Sequence, residues 1–326
     1  MATMKFARMI AAGAVLAYAG AAAAQTYPER PVTMVVPFTP GGAGDILGRL
    51  LGQKLEQSWS EPLIVKNRPG AGGVVAAVTV ANAEPDGYTL MIAPSATMAV
   101  NVSLFKTLPY DPAADFVPLA LAAQVPFVLV VNPDLPVRSI ADLVSYAKAQ
   151  GGKLSYATAG PGVPHHLFAE LLKSMTGIEM SPVAYRGSLP ALNDVVAGQM
   201  PLMFVDIGPS LGIIQAGKVR PLGISTKTRF PGLPDVPPLN EVGVPGFDAA
   251  SWQMIVAPAK TPQPIADKLH GDLTALLQTS EIKAQIFNHG MIPIDNPSID
   301  GLRAFVRAEI ARWGKVVQQA GLTATQ

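Results

Sequence analysis

The chain has 326 residues, of which 49% are hydrophobic and 14% are charged. This length suggests about two domains, and the low charge argues against disorder and against a basic surface for nucleic acid. Lys and Arg number 24 and Asp and Glu number 23, so no net field attracts DNA or an anionic membrane. The absence of cysteine excludes disulfides, thiolate metal sites, cysteine nucleophiles and lipid attachment through a cysteine.

Residues 1–24 have the parts of a secretory signal peptide. Lys5 and Arg8 form a basic start, an apolar run follows at 9–20, and Ala22 to Ala24 supply an A-x-A cleavage site. An N-terminal anchor helix is the alternative, but the run falls short of the ~20 strongly apolar residues that a membrane span needs. We therefore expect cleavage near Ala24 and a periplasmic mature protein.

Strand-like and helix-like segments alternate along the rest of the chain, joined by turns rich in glycine and proline. In chain order, strands are predicted at 32–37, 63–65, 89–93, 127–131, 154–158, 200–205 and 254–258, and helices at 46–55, 74–83, 140–149, 166–175, 264–277 and 299–320. Ser139 is a predicted helix N-cap and Gly177 a predicted helix stop. The alternation indicates βαβ units and a mostly parallel sheet.

Two similar apolar runs, each stopped by proline, bracket the central part of the chain. They lie at 129–133 and 254–258. Their placement suggests that the chain crosses into a second lobe and later returns.

Two glycine-rich turns between a strand and a helix are the most informative motifs. They span Thr39 to Gly44 and Thr158 to Gly162. The first N–H groups of a helix lack intrahelical partners, and glycines let an anion approach them closely. If the turns belong to different lobes, they could close on a carboxylate from both sides without an arginine. The alternative is that the glycines only make tight strand-to-helix connections.

Enzyme signatures are missing from the sequence. A dinucleotide fingerprint starting at Gly42 or Gly70 would need glycine where Leu47 and Val75 stand. The phosphate-binding P-loop and the G-x-S-x-G motif of α/β-hydrolases are also absent. We therefore expect no catalytic residue and no cofactor.

Four polar side chains are candidates for the cleft. His165 and His166 begin a predicted helix, where a neutral histidine could donate a hydrogen bond to a ligand; capping or packing is the alternative. Only Glu170 stands four residues beyond His166, so no metal site is expected. Asp45 suits the start of its helix whatever its function. Asp206 follows an apolar strand and is a candidate ligand contact, with a solvated strand end as the alternative.

Several sequence blocks resemble the substrate-binding proteins of tripartite tricarboxylate transporters, the Bordetella uptake gene family. The blocks run in order from residue 27 to beyond residue 250. They include Tyr27-Pro28-Glu29-Arg30-Pro31, Val36-Pro37-Phe38-Thr39-Pro40-Gly41-Gly42 with Asp45, Val65-Lys66-Asn67-Arg68-Pro69-Gly70-Ala71-Gly72-Gly73, Glu84-Pro85-Asp86-Gly87-Tyr88-Thr89-Leu90, Leu108-Pro109-Tyr110-Asp111-Pro112 with Asp115 and Phe116, and Tyr185-Arg186-Gly187 with Pro190, Ala191, Asp194, Gly198 and Gln199.

The resemblance implies an α/β protein of the type II periplasmic binding protein class, with two α/β lobes, a two-stranded hinge and a central ligand cleft. The expected lobes are 25–126 plus 250–326, and 127–249. Family members bind small carboxylates largely through backbone groups and ordered water at the two glycine-rich turns. The implied partners are a carboxylate and the membrane subunits of the transporter, with no nucleic acid, and the protein is expected to be a monomer.

The expected ligand-binding residues follow from these matches together with the polar residues considered above. They are Phe38, Thr39, Gly41, Gly42, Asp45, Ser95, Thr97, Thr158, Ala159, Gly160, Val163, His166 and Asp206.

One departure from the family pattern concerns the second turn. Family members usually have small hydroxyl residues after its glycine, and here Val163 and Pro164 stand in their place. This wall is therefore more apolar, which favours a ligand with a hydrophobic portion over citrate-like triacids.

The expected function is that of an extracytoplasmic solute-binding protein that delivers a carboxylate to its transporter. A ligand-sensing subunit of a signalling system would use the same fold and site, so this alternative stays open. An exported α/β enzyme is the third possibility, and the sequence offers it no nucleophile and base or metal constellation.

Overall fold

The computed structural model describes residues 27–326, so the predicted signal peptide lies outside the described residues. The strands are β1 Val32–Val36, β2 Leu63–Asn67, β3 Thr89–Pro94, β4 Phe116–Val125, β5 Phe127–Val131, β6 Ser155–Thr158, β7 Ser181–Ala184, β8 Leu202–Asp206, β9 Arg220–Ile224, β10 Ser251–Pro258 and β11 Ile292–Pro293.

Helices connect the strands and cover the sheets. The α-helices are α1 Ala43–Trp59, α2 Val74–Ala81, α3 Asn101–Leu104, α4 Ile140–Gln150, α5 Pro164–Thr176, α6 Ser188–Val196, α7 Ile207–Gln215, α8 Gln263–Gln278, α9 Ser280–Asn288 and α10 Ile299–Gln319. A π-helical turn, Ala96–Val100, precedes α3. No helix within residues 27–326 is long and apolar enough to cross a membrane.

The strands form two mixed sheets. Sheet A has the order β11-β4-β10-β3-β1-β2, and sheet B has the order β7-β6-β8-β5-β9. The α/β class and the two-lobe architecture predicted from the sequence are confirmed. All strands of sheet B fall within the predicted second lobe, but the exact lobe boundaries stay a prediction.

Local signals in the sequence correctly predicted the start of α4 and the end of α5. The Ser139 hydroxyl accepts a hydrogen bond from the Asp142 backbone N–H at 3.1 Å, which caps α4 as predicted. Gly177 ends α5 in the left-handed conformation, with φ of 67°. Both ends are therefore set by local backbone chemistry.

The expectation of mostly parallel sheets is wrong. β1 runs parallel to β2 and β3, but β10 is antiparallel to β3 and β4. In sheet B, β5 is antiparallel to both β8 and β9. The reason is that β5 and β10 enter their sheets directly from the other lobe and not through a helical crossover.

Two adjacent crossings make the two-stranded hinge. The outward crossing is Pro126, between β4 and β5, and the return leads from Ala249 into β10. The Phe127 backbone N–H donates to the Ser225 hydroxyl at 3.0 Å, and the Ser225 carbonyl accepts from the Ala249 N–H at 2.8 Å. These bonds tie the outgoing and returning segments together.

Packing beside the hinge joins the two sheets. Phe168 of α5 stacks on Trp313 of α10, with ring centroids 5.9 Å apart, and meets the edge of Phe127 at 5.0 Å. All three rings belong to one buried apolar cluster that draws residues from both sheets. The hinge side is therefore a continuous core.

A close steric fit links the lobes at Gly162. This residue follows β6 of sheet B and has φ of 69°. A Cβ at Gly162 would overlap Cδ2 of Leu104, the last residue of α3 beside sheet A. Any side chain at position 162 would therefore push the two sets of loops apart.

We expect Gly162→Ala to lower the free energy of unfolding more than Gly177→Ala, the matched control. Both glycines have nearly the same φ, but nothing lies within 4 Å of a Cβ at Gly177. The left-handed backbone should cost both variants about 1–2 kcal/mol. The overlap with Leu104 should add about 1–3 kcal/mol to Gly162→Ala alone.

Urea unfolding of both variants measures the difference. Repeating the pair in a Leu104→Ala background should shrink it, because the overlapping methyl group is then absent. Equal losses for the two glycine variants would contradict the fit between Gly162 and Leu104.

Candidate ligand-binding cleft

The candidate site lies where strand ends from the two sheets carry loops toward each other. β1 and β3 are parallel, so the loops after Val36 and Pro94 leave sheet A at one edge. β6 and β8 are parallel in sheet B, so the loop after Thr158 and the end of β8 at Asp206 share an edge there. The carboxyl ends of parallel strands are the usual ligand-binding edge of an α/β sheet.

The two sets of loops approach each other closely. A Cβ at Gly187, ahead of α6, would lie 3.1 Å from Thr39 Oγ1 of the first glycine-rich turn. A Cβ at Gly41 would lie 3.5 Å from Leu189 Cδ1. Together with the fit of Gly162 against Leu104, these distances show that the loops of the two sheets lie close together.

Asp45 holds the first turn in shape. Its carboxylate accepts from the Gly41 backbone N–H at 3.0 Å, from the Arg49 guanidinium at 3.0 and 3.1 Å, and from the Asn67 side-chain amide at 3.0 Å. The same Asn67 amide donates to the Phe38 carbonyl at 3.0 Å. Asp45 thus stabilises the conformation of the turn, and both of its carboxylate oxygens accept hydrogen bonds from the protein itself.

The charge of Asp45 is stabilised by these donors. Burial raises the pKa of the carboxyl group, but hydrogen bonds from Arg49, the Gly41 N–H and Asn67 lower it by more, so the pKa lies below its usual range. The ionised form is therefore part of the folded structure at neutral pH.

His166 holds the second turn in a similar way. Its Nδ1 accepts a hydrogen bond from the Gly162 backbone N–H at 3.0 Å. Burial lowers the pKa of the ring, which favours the neutral form that this acceptor role requires. The Thr158 hydroxyl donates to the Gly160 carbonyl at 3.0 Å within the same turn. A direct ligand contact by His166 stays a prediction.

Helix starts around the cleft lack side-chain caps. α1, α2, α5 and α6 begin after Gly42, Gly73, Val163 and Gly187, and none of these residues supplies a capping side-chain hydrogen bond. Their first N–H groups and the positive ends of their dipoles can therefore stabilise an anion. Such a site can bind a carboxylate through backbone groups.

The loop after β3 adds buried hydroxyl groups. Ser95 and Ser251 share a hydrogen bond of 2.8 Å, and both are buried. Thr97 Oγ1 is buried without a hydrogen-bond partner, beside the start of α2 at Gly73. These buried hydroxyl groups lie directly after β3 and at the start of β10, on the sheet A side.

At the sheet B side, Asp206 lies in a small polar cluster. The Ser188 hydroxyl donates to Asp206 Oδ1 at 2.7 Å, and His165 Nε2 lies 3.4 Å from the same oxygen. Burial raises the pKa of Asp206, but the His165 ring and the Ser188 hydroxyl lower it by more, so the pKa lies below its usual range. Asp206 is therefore a buried carboxylate that remains ionised.

Comparison with known proteins decides the family. Residues 47–322 match the family model described as tripartite tricarboxylate transporter family receptor, TctC. The chain belongs to this receptor family. Protein BugT of Bordetella pertussis is 36% identical over 323 residues, which cover 98% of this chain and 99% of that protein.

Solved structures show the same architecture. R. palustris Rpa4515 with adipate has a TM-score of 0.87 and 39% identity, covering 91% of this chain and 99% of that one. MatC (Rpa3494) from Rhodopseudomonas palustris with bound malate has a TM-score of 0.82 and 33% identity, covering 89% of this chain and 100% of that one. The receptors of this family are periplasmic solute-binding proteins, so the family and the binding function predicted from the sequence are confirmed.

The residues predicted from the sequence lie at the ends of β1, β3, β6 and β8 and in the turns and helix starts that follow these strands. Phe38, Thr39, Gly41 and Gly42 form the first turn, and Thr158, Ala159, Gly160 and Val163 belong to the second. Asp45 and His166 are engaged by the protein itself, as described above. Which of the predicted residues contact the ligand stays a prediction.

Sequence reasoning missed Ser188 of this cluster and included His166, but not His165, among the expected ligand-binding residues. Ser188 bonds to Asp206, and His165, not its neighbour His166, is the histidine beside that carboxylate. Ser188 directly follows the Tyr185-Arg186-Gly187 block, which was the available signal. The orientation of two adjacent helical histidines depends on the exact start of α5, which the sequence did not define to one residue.

We expect the stability of the receptor to depend on the charge of Asp45. Because its folded-state pKa lies below the unfolded value of about 3.9, the stabilisation is present above that value and is lost as the pH falls through the folded pKa. Asp45→Asn should destabilise the protein at pH 7 by about 2 kcal/mol, since donors lose their charged acceptor.

Urea unfolding of both proteins at pH 7 and at pH 3 tests this. The wild type should lose more free energy of unfolding between the two pH values than Asp45→Asn, because all other carboxyl groups are common to both. Equal losses would show that Asp45 does not support the turn through its charge.

Proposed function

We propose that this receptor captures a small carboxylate in the cleft between its lobes and delivers it to the membrane subunits of a tripartite tricarboxylate-type transporter. The observation that carries the proposal is the set of uncapped helix starts that the loops of both sheets bring to one cleft. The similar structures with adipate and malate support a carboxylate ligand.

The lobes would close on the ligand as two bodies, residues 25–126 with 250–326 and residues 127–249. Support comes from the two separate sheets and from the paired crossings at Pro126 and Ala249. A ligand that contacts both lobes binds the closed form more tightly and so shifts the population toward it. The transporter would then recognise the closed shape.

The bound carboxylate would carry a hydrophobic portion. Val163 is 5% exposed and stands at the start of α5, where family members usually have a hydroxyl residue. A hydroxyl would stabilise an additional polar group of a triacid, whereas Val163 and Pro164 leave such a group without a partner. Aromatic and longer-chain carboxylates suit this wall better than citrate does.

Residues 1–24 would act as a signal peptide that is cleaved during export. The mature protein would be a periplasmic monomer. The basic start, apolar run and A-x-A site support this proposal. Mass spectrometry of the protein exported from its cell should find an N-terminus at Gln25, and light scattering should give the mass of one chain. An intact N-terminus in the exported protein would contradict the cleavage.

Stabilisation by carboxylates is the direct test of the binding function. The mature protein, refolded to remove bound ligand, is unfolded thermally with adipate, malate, citrate, benzoate or phenylacetate. A ligand at 100 times its Kd should add about 2.7 kcal/mol of stability. We expect larger shifts with adipate or the aromatic acids than with citrate.

Val163→Thr is the matched variant, because it restores a hydroxyl in nearly the same volume. It should reduce the preference for apolar carboxylates over citrate. Thermal stabilisation by citrate alone would contradict the proposed hydrophobic portion of the ligand. It would still support a carboxylate ligand. A flat response from folded protein to every acid would contradict the carboxylate function itself.

A further inference from the structure

A short segment near the C-terminus is attached to sheet A at both of its ends. The segment consists of α9 and β11, residues 280–293, and we call it the brace. Its last strand, β11, pairs with the end of β4, where Ile292 lies opposite Gln124. At its start, the Glu281 carboxylate forms an ion pair of 2.6 Å with Lys54 of α1. The brace therefore belongs to the lobe that contains sheet A.

The brace also packs on the core of the other lobe. One face of sheet B is covered by an apolar cluster whose buried members all lie within residues 128–236. Among the apolar side chains that the structure describes, only Phe287 and Ile292 come to this cluster from outside residues 127–249. Both side chains belong to the brace, which therefore joins sheet A to the core of the second lobe.

An aromatic stack and a close backbone approach hold the brace in this position. The Phe287 ring stacks on Phe230, with ring centroids 5.1 Å apart and planes inclined by 25°. Gly290 has φ of 75°, and a Cβ there would overlap the backbone of Gly208 in α7. A Cβ at Gly208 would overlap the carbonyl of His289. The two backbones therefore meet with no side chain between them.

Elements from the lobe of sheet A thus contact both faces of sheet B. Successive residues of a strand point to opposite faces. In β8, Phe204 belongs to the apolar cluster that contains Trp313 of α10, whereas Val205 belongs to the cluster that contacts the brace. The Ile207 N–H donates to the Pro126 carbonyl at 3.3 Å, which places the start of α7 beside the outgoing crossing. A rotation of sheet B about the crossings therefore changes its packing against α10 and against the brace together.

We propose that the brace is a third, non-covalent tie between the lobes, which limits how far the cleft opens and thereby raises the affinity for the ligand. The inference rests on the proposed closure of the lobes and adds the element that restrains it. Phe230 and Phe287 are then positioning residues, which act on the ligand through the angle between the lobes. Because only molecules with a sufficiently closed cleft bind, the apparent Kd is the intrinsic Kd divided by their fraction.

Distances between two spin labels measure the separation of the lobes. The chain has no cysteine, so Gln57→Cys in α1 and Asn193→Cys in α6 provide one exposed labelling site on each lobe. Pulsed electron double resonance then gives the distance distribution of the mature protein without ligand. Phe287→Ala should broaden this distribution and lengthen its mean by several ångströms, because the tie is weakened. Phe230→Ala should do the same, and the double variant should go no further, since all three remove one stack.

Tyr27→Ala is the matched control for the aromatic substitutions. Tyr27 and Tyr88 also pair with ring centroids 5.1 Å apart, but both residues lie beside sheet A. The distance distribution of Tyr27→Ala should therefore equal that of the wild type. Thermal unfolding without ligand checks that each variant is folded.

A pair of glycine substitutions in α7 tests the backbone approach without removing an aromatic ring. A Cβ at Gly208 would overlap His289 of the brace, whereas a Cβ at Gly212 would meet nothing within 4 Å. Gly208→Ala should therefore change the distance distribution, and Gly212→Ala should leave it as in the wild type.

Isothermal titration calorimetry with adipate measures the consequence for binding. Folded Phe287→Ala should bind adipate severalfold more weakly than the wild type, because a smaller fraction of molecules has a closed cleft. Tyr27→Ala should bind adipate as the wild type does. An unchanged Kd in Phe287→Ala, despite a broader distance distribution, would overturn the effect of the brace on affinity.

The remaining outcomes separate the brace from the proposed function. Wild-type distance distributions in folded Phe287→Ala and Gly208→Ala would overturn the brace and leave the carboxylate function intact. Failure of the folded wild type to bind adipate or any other acid of the panel would contradict the carboxylate function. The distances measured without ligand would still decide whether the brace restrains the lobes.

Discussion

Backbone N–H groups that helices cannot pair internally are the constraint on which this receptor depends. Every helix begins with such groups, and most helices satisfy some of them with a side-chain cap. Here the N-cap positions of α1, α2, α5 and α6 are occupied by glycine or valine, which provide none. The protein thereby keeps anion-binding groups available, and no lysine or arginine is buried among residues 27–326, which agrees with the low content of charged residues.

Turns of this kind need other side chains to hold their backbone in one conformation. Asp45 and His166 do this, since each accepts a hydrogen bond from a glycine N–H within its own turn, Gly41 in one case and Gly162 in the other. Both side chains looked like candidate ligand groups in the sequence. Their positions show that a polar residue close to a binding loop can act by fixing the backbone that does the binding.

Much of this arrangement could be predicted from the sequence, and the omissions have physical causes. Strands with β-branched runs and helices with clear caps were located to within a few residues. β4 was not recognised because Pro118 and a run of alanine and leucine obscure its strand character, and β7 is an exposed edge strand without an apolar pattern. Antiparallel pairing was not foreseen because strand direction depends on how the chain crosses between lobes, which residue patterns do not encode. The same limit applies to Ser188 and His165, whose roles arise from contacts between separate elements.

The stacking of Phe168 on Trp313 has a consequence for how the protein folds. A two-lobe shape suggests two modules that could be separated, yet one apolar cluster runs through both of them. A fragment containing sheet B alone would present the faces of Phe168 and Phe127 to water, and a fragment containing sheet A alone would do the same with Trp313. Because the two sheets share this core beside the hinge, the two lobes should unfold together as one cooperative unit.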